Sequence, residues 1–110
     1  LYNQSFMIAM APINEMASIG LEMMQSSIKA LLEGDADSAR KISARDDEID
    51  EIHGRFMKEL INKMQENPQT IEQGISLLLI ARFMERMGDH VTNICEWIVY
   101  AIESEHVELN

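Results

Sequence analysis

Cysteine is nearly absent from this chain. Cys95 is the only one, so no disulfide can close within it, and a cysteine-rich zinc site is excluded. Two prolines and five glycines leave few places for 110 residues to turn, so the elements must be long. Aromatic residues make up only 5%, which disfavours a sheet, where aromatic and β-branched side chains dominate. Basic residues are also scarce, nine against nineteen acidic ones, for a formal charge of −10. Such a surface repels phosphate backbones and anionic lipid, so neither nucleic acid nor polybasic membrane attachment is expected. No uncharged apolar run approaches the roughly 18–20 residues of a membrane span. No basic stretch precedes an apolar one at the N-terminus, as a signal peptide would require. The expectation is a reducing, cytoplasmic setting without membrane insertion. Leu1 in place of Met adds the expectation of a piece of a longer protein.

What is present is a helical pattern. Hydrophobic residues amount to 46%, including nine Met, and they recur at three- and four-residue spacing almost throughout. The first run is Phe6, Ala9, Ile13, Met16, Gly20, Met23, Ser27 and Leu31. Gly34 suits the position just past a helix end, and Asp35 can cap the next start. The second run is Ile42, Ile49, Ile52, Phe56, Leu60 and Met64. Asn67-Pro68 closes it, with Asn as cap and Pro at the first position of a new helix. The third is Leu77, Ala81, Met84, Gly88, Val91, Cys95, Ile98 and Ile102. The expected fold is all-α: an antiparallel up-down-up three-helix bundle in one domain over 1–110, with helices near 3–33, 36–66 and 68–104. Ile49, Phe56, Leu60, Met84, Val91, Cys95 and Ile98 are the expected core. Pro12 should kink the first helix or mark its start. Most Met are core filler, Met7 and Met10 being the candidates for an adaptable surface. Trp97 falls off the apolar stripe, where it suits an interface or partial burial under a neighbour.

Two acidic pairs carry the chemistry. Asp46 and Asp50 on the second helix, and Glu85 and Asp89 on the third, are each spaced i, i+4, which puts both carboxylates of a pair on one face. Like charges so placed destabilise a helix unless a cation neutralises them, and clustered oxygen donors suit hard metals. With the turn near Asn67, antiparallel residues of equal height have numbers adding to about 135, which sets Asp46 beside Asp89 and Asp50 beside Glu85. By azimuth, Asp46 and Asp50 lie roughly 50–90° from the centre of their stripe, and Glu85 and Asp89 roughly 100–150° from theirs. That predicts a surface site over the groove between the helices. Asn93 and Glu96 continue the outer face of the third helix, and Glu22 on the first is at similar height. Against this stands a solvated acidic face, with Arg45, Arg82 and Arg86 as ion-pair partners. His53 reads as a packed histidine at the core edge.

The stretch Ala81-Arg-Phe-Met-Glu-Arg-Met-Gly-Asp-His-Val-Thr-Asn-Ile-Cys-Glu-Trp-Ile-Val-Tyr100 resembles the third-helix pattern of the PhoU family, in which Glu-Arg is followed by Gly-Asp-His and Asn-Ile-x-Glu. Asp46-Asp-Glu-Ile-Asp50 is similar to the family's second-helix motif. The resemblance runs from about Ile13 to Tyr100. It implies one repeat, the C-terminal of two, and a non-enzymatic regulator that links a phosphate ABC transporter to a sensor histidine kinase. It also implies metal ions (iron, zinc, manganese or magnesium) at Asp46, Asp50, Glu85 and Asp89, with Asn93 and Glu96 as further matching positions. A homodimer is compatible with it. The alternatives are a PhoU-like domain of a sodium–phosphate cotransporter, a metal-free helical adaptor, and a ferritin-like di-metal enzyme. The last needs four helices and two inward Glu-x-x-His motifs. Here there is only Glu103-Ser-Glu-His106 near the chain end, and Asp50-x-x-His53 substitutes Asp.

Overall fold

Long amphipathic segments with few breakers can bury their stripes only against one another, and the chain does this lengthwise. In the computed structural model, the backbone of residues 4–109 and the side chains of residues 10–104 are described. Helix α1 covers Gln4–Glu33, α2 Ala36–Ala44, α3 Asp46–Glu66 and α4 Ile71–Leu109. No strand occurs among the described residues. Helices α2 and α3 together form the second arm of an antiparallel bundle measuring 64 × 18 × 16 Å.

The joints follow local chemistry. Gly34 adopts φ +67°, the left-handed region that favours glycine. Its N–H reaches the Leu31 carbonyl, and that of Asp35 reaches Ala30, which satisfies two carbonyls at the end of α1. The Asp35 carboxylate then accepts from the Ser38 N–H (3.0 Å) and the Ser38 hydroxyl (2.7 Å), capping α2. These hydrogen bonds hold the Asp35 carboxyl below the usual carboxylate range. Asn67 accepts from the Gln69 N–H, and Pro68 opens a single 3₁₀ turn, Pro68–Thr70, before α4.

The boundaries differ from expectation in three places. The second arm is not one helix over 36–66 but breaks at Arg45, whose N–H bonds Ile42 three residues back (3.0 Å) and tightens the chain there. The Arg45 guanidinium holds this joint to α1 through Glu22 (3.0 Å) and to α3 through Glu48 (2.9 Å). The break also puts Asp46, Asp47 and Glu48 in the first turn of α3, where the helix dipole favours negative charge. The third arm begins at Ile71 rather than 68 and continues to Leu109 rather than 104. Finally, helix lies on both sides of Pro12, so Pro12 does not mark the start of α1.

The core follows the predicted stripes closely. Met16 and Met23 of α1, Ile49, Ile52, Phe56 and Leu60 of α3, and Leu77, Ala81, Val91 and Cys95 of α4 form the main cluster. A smaller one joins Ala30, Ala39 and Ile98 at the other end. Two expectations fail. Met84 is only half-buried, because the short Ala81 and Gly88 beside it bring α4 in close and leave no depth for a long side chain. Leu31 is 45% exposed, and Ala30 faces inward instead, since a 3.6-residue period overtakes a strict four-residue step. Met10 packs against the core; Phe6, Met7, Ala9 and His106 have side chains outside the described residues. Cys95 is buried, and burial raises its thiol pKa, so it acts as a small hydrophobe.

Replacing Val91 by Asp puts an unpaired charge into this interior and should cost about 3–5 kcal/mol. Leu32→Lys, at a position 81% exposed, should stay within about 0.5 kcal/mol. Chemical denaturation of both variants checks the assignment of faces.

Candidate metal centre

The site lies at a close contact between α3 and α4, and a glycine permits that approach. A Cβ at Gly88 of α4 would collide with Asp46 Oδ1 and lie 2.9 Å from Ile49 Cδ1, both on α3. Without it, the Asp46 carboxylate rests directly on the α4 backbone. The Gly88 carbonyl also accepts from the Thr92 hydroxyl (3.0 Å).

Three carboxylates converge there. Asp46, Asp50 and Asp89 each offer an oxygen within 4.8 Å of the other two. Asp50 and Asp89 are exposed, while Asp46 is half-buried. Glu85, half-buried one turn before Asp89, lines a neighbouring groove of about 500 Å³ with His53, Met57, Leu78, Arg82 and Asp89. The equal-height pairing of Asp46 with Asp89 thus holds, and Glu85 joins through Asp89. Asp46 is more deeply set than its azimuth implied, because Gly88 leaves room beneath it.

The electrostatics show what the crowding costs. Burial, then the charges of Asp50 and Asp89, push the Asp46 carboxyl up to about 6. A hydrogen bond to Asp89, which needs a shared proton, and the charge of Glu85 act the same way. Glu85 is raised by burial and by its hydrogen bond and repulsion with Asp89, and lowered by His53. When ionised, Asp46 Oδ1 is a buried acceptor with no hydrogen-bond donor among the described residues. No ion pair joins these four carboxylates to a Lys or Arg among the described residues: Arg40 serves Asp37 and Glu103, and Arg45 serves Glu22 and Glu48. Arg82 lines the groove without pairing there, contrary to the ion-paired alternative.

The other candidates sit apart. Glu22 is held by Arg45 and faces the α1–α3 groove with Glu48, Glu51 and Arg55. Glu96 is exposed above Ala39 and Arg40, and Asn93 is exposed between it and Asp89. Trp97 is 71% exposed. One residue was undervalued: His53 stands at the groove rather than only at the core edge, and its Nε2 is buried without a hydrogen-bond partner among the described residues. The signal for it was its place one turn beyond Asp50 on the same helix.

Fold and site together define a class: a long helical bundle with an unneutralised carboxylate cluster between two of its helices. The PhoU domain model matches residues 13–98, and the chain belongs to that family. It is 35% identical over 88 residues to the phosphate-specific transport system accessory protein PhoU homolog of Clostridium acetobutylicum, covering 80% of this chain and 40% of that protein. The protein of the same name from Deinococcus radiodurans is 33% identical over 88 residues, covering 80% and 41%. The one from Streptococcus pneumoniae serotype 4 is 32% identical over 98 residues, covering 89% and 45%. The chain therefore spans less than half the length of these relatives.

The sign of the Asp46 effect is testable without metal. Its folded-state pKa of about 6 exceeds the ordinary 3.8, so between these values the folded state holds a proton that the unfolded chain has released. Stability from this group is therefore lost as pH rises through about 6. Asp46→Asn should stabilise the metal-free protein by about 1–3 kcal/mol at pH 7, the lower end allowing for solvent at the site. The gain should disappear near pH 4, which urea melts at the two pH values would reveal.

Proposed function

We propose that the chain is a non-enzymatic regulatory bundle of a phosphate transport system, whose Asp46, Asp50, Glu85 and Asp89 hold a metal ion that joins α3 to α4. The observation that carries the metal reading is the buried Asp46 Oδ1, without a hydrogen-bond partner among the described residues, within a set of carboxylates that no Arg or Lys pairs with among those residues. An all-oxygen set of this kind fits magnesium, manganese or iron, and zinc accepts carboxylates as well. A bound cation supplies positive charge to carboxylates that have no ion-pair partner among the described residues. Asp46 contributes the inner oxygen, fixed against Gly88; Asp50 and Asp89 contribute from the exposed side. Glu85, one turn before Asp89 on α4 and lining the same groove, is placed to add a further oxygen.

The regulatory part rests on the names of the relatives, which are accessory proteins of phosphate-specific transport. In this reading the bundle docks between a phosphate ABC transporter and a sensor histidine kinase, with its negative surface meeting basic patches on them. The net charge of −10 and the absence, among the described residues, of any helix long and apolar enough to cross a membrane suit such a docking role.

A ligand that binds only the folded state stabilises it by about 2.7 kcal/mol at a hundred times its Kd. Manganese or zinc added to chelator-stripped protein should therefore raise the Tm by on the order of 10 °C, and chelator should reverse it. The rise should be absent in Asp46→Asn/Asp89→Asn. Gly88→Ala should keep its helical circular dichroism and lose most of the rise, because the added methyl displaces the Asp46 carboxylate. A wild type that does not respond would leave these acids as a solvated face.

A further inference from the structure

The long faces of the bundle differ in charge. A Cβ at Gly20 of α1 would meet the Met87 side chain of α4, so these two helices run side by side. From Leu21 to Leu32, α1 carries one acid, Glu22, and it lines the groove toward α3. From Ile80 to Trp97, α4 carries three. Glu85 and Asp89 line the groove toward α3, and Glu96 lines the one toward α2. The face that α1 and α4 form together, away from the second arm, therefore presents no acid over these stretches, in a chain of net charge −10. It is apolar instead. At 3.6 residues per turn, Leu21 and Ile28 point within roughly 20° of one another on α1, and Phe83 and Trp97 within roughly 40° on α4. All four are exposed, Leu21 at 59% and Phe83 at 64%. Ile80 and Leu31, exposed as well, extend the patch along the two helices.

We infer that this face binds a second copy of the chain in a two-fold dimer, with α1 and α4 of one copy against α1 and α4 of the other. A contiguous exposed apolar patch marks an interaction surface. Two chains that each carry −10 meet with least repulsion where neither presents acids, and a two-fold contact turns the acidic grooves of both outward. The size suffices. About 26 Å from Ile80 to Trp97 and roughly 20 Å across two helices give roughly 500 Å² on each copy, about 1,000 Å² in total, where specific interfaces begin. A basic partner would be drawn to the acidic grooves rather than here. An anionic membrane fits less well, since the acids flanking this face would meet headgroups of like charge. The inference goes beyond the metal reading and does not depend on it.

Sedimentation of this chain over a range of concentrations tests it, in chelator so that no metal can bridge two copies. The wild type should reach twice the chain mass as concentration rises. The association should strengthen with sodium chloride, which screens the repulsion between copies, whereas docking to a basic patch would weaken. Leu21→Glu and Phe83→Glu should each weaken dimerisation at least about tenfold, with unchanged helical circular dichroism. Ile61→Glu adds the same charge at a position of α3 that is 45% exposed, and should change it by less than about twofold. Trp97, the only tryptophan, reports on the wild type alone, so the test stands even if a variant fails to fold. Its quenching by acrylamide should fall as the dimer forms. A wild type that stays monomeric in high salt would overturn the inference. So would a dimer whose Trp97 remains equally quenchable, or one that Ile61→Glu disrupts as much as Phe83→Glu. Phosphatidylcholine vesicles that shield Trp97 of a monomeric protein would assign the face to lipid and overturn it too.

Discussion

The contact on which the rest of the arrangement depends is the one between Gly88 and the Asp46 carboxylate. Helices pack at distances set by the side chains between them. With no side chain at Gly88, a polar group of α3 can settle onto the backbone of α4. That placement takes Asp46 partly out of water while Asp50 and Asp89 remain at the rim. The same step that brings the helices together therefore concentrates like charge, and the raised Asp46 pKa is its direct consequence. A neighbouring Ile49, fully buried one turn along, keeps α3 from retreating. The packing thus holds the carboxylates against their own repulsion.

Much of this was legible in the sequence because it depends on spacing. Stripes of period 3.6 identified Ile49, Phe56, Leu60, Val91, Cys95 and Ile98 as interior, and all six are buried. Gly34-Asp35 and Asn67-Pro68 have local chemistry strong enough to set the joints without tertiary help. Antiparallel numbering alone brought Asp46 to Asp89. What could not be read depends on side-chain size across a contact. Met84 fits its stripe, but its depth is decided by the small Ala81 and Gly88 on either side. The Arg45 break leaves no mark on the apolar pattern, since α2 and α3 both keep their stripes toward the same core. The burial of Asp46 needed the knowledge that a glycine of another helix lay beneath it, and the His53 nitrogen, without a hydrogen-bond partner among the described residues, needed the positions of its neighbours.

The arginines show a division of labour that the charge count conceals. Arg40 and Arg45, both on the second arm, bind acids of other elements: Arg40 ties α2 to Glu103 of α4, and Arg45 ties the joint to Glu22 of α1. These are exposed pairs, each worth little in water, and their effect is to orient the short α2 rather than to supply much stability. The acids around Asp46 receive no such partner among the described residues. A chain with nineteen acids and nine bases must leave some carboxylates unpaired. Scattered on a wet surface they would cost almost nothing, so their convergence on one groove is the feature that needs a cause.

Helix α4 is where these requirements meet. Its inner face supplies Leu77, Ala81, Val91, Cys95 and Ile98 to the core, and one flank supplies Glu85 and Asp89 to the groove. The i, i+4 repeat that stacks the two acids is nearly the same repeat that stacks the core, so a single helix can hold both in register over several turns. Gly88 lies in both series: it is buried among the core positions and borders the acids. A rotation of α4 that improved the fit of one face would misalign the other. Core packing therefore does more than stabilise the bundle. It fixes the azimuth at which Glu85 and Asp89 confront α3, and a metal seated between the helices would in turn oppose any slip of the two along each other.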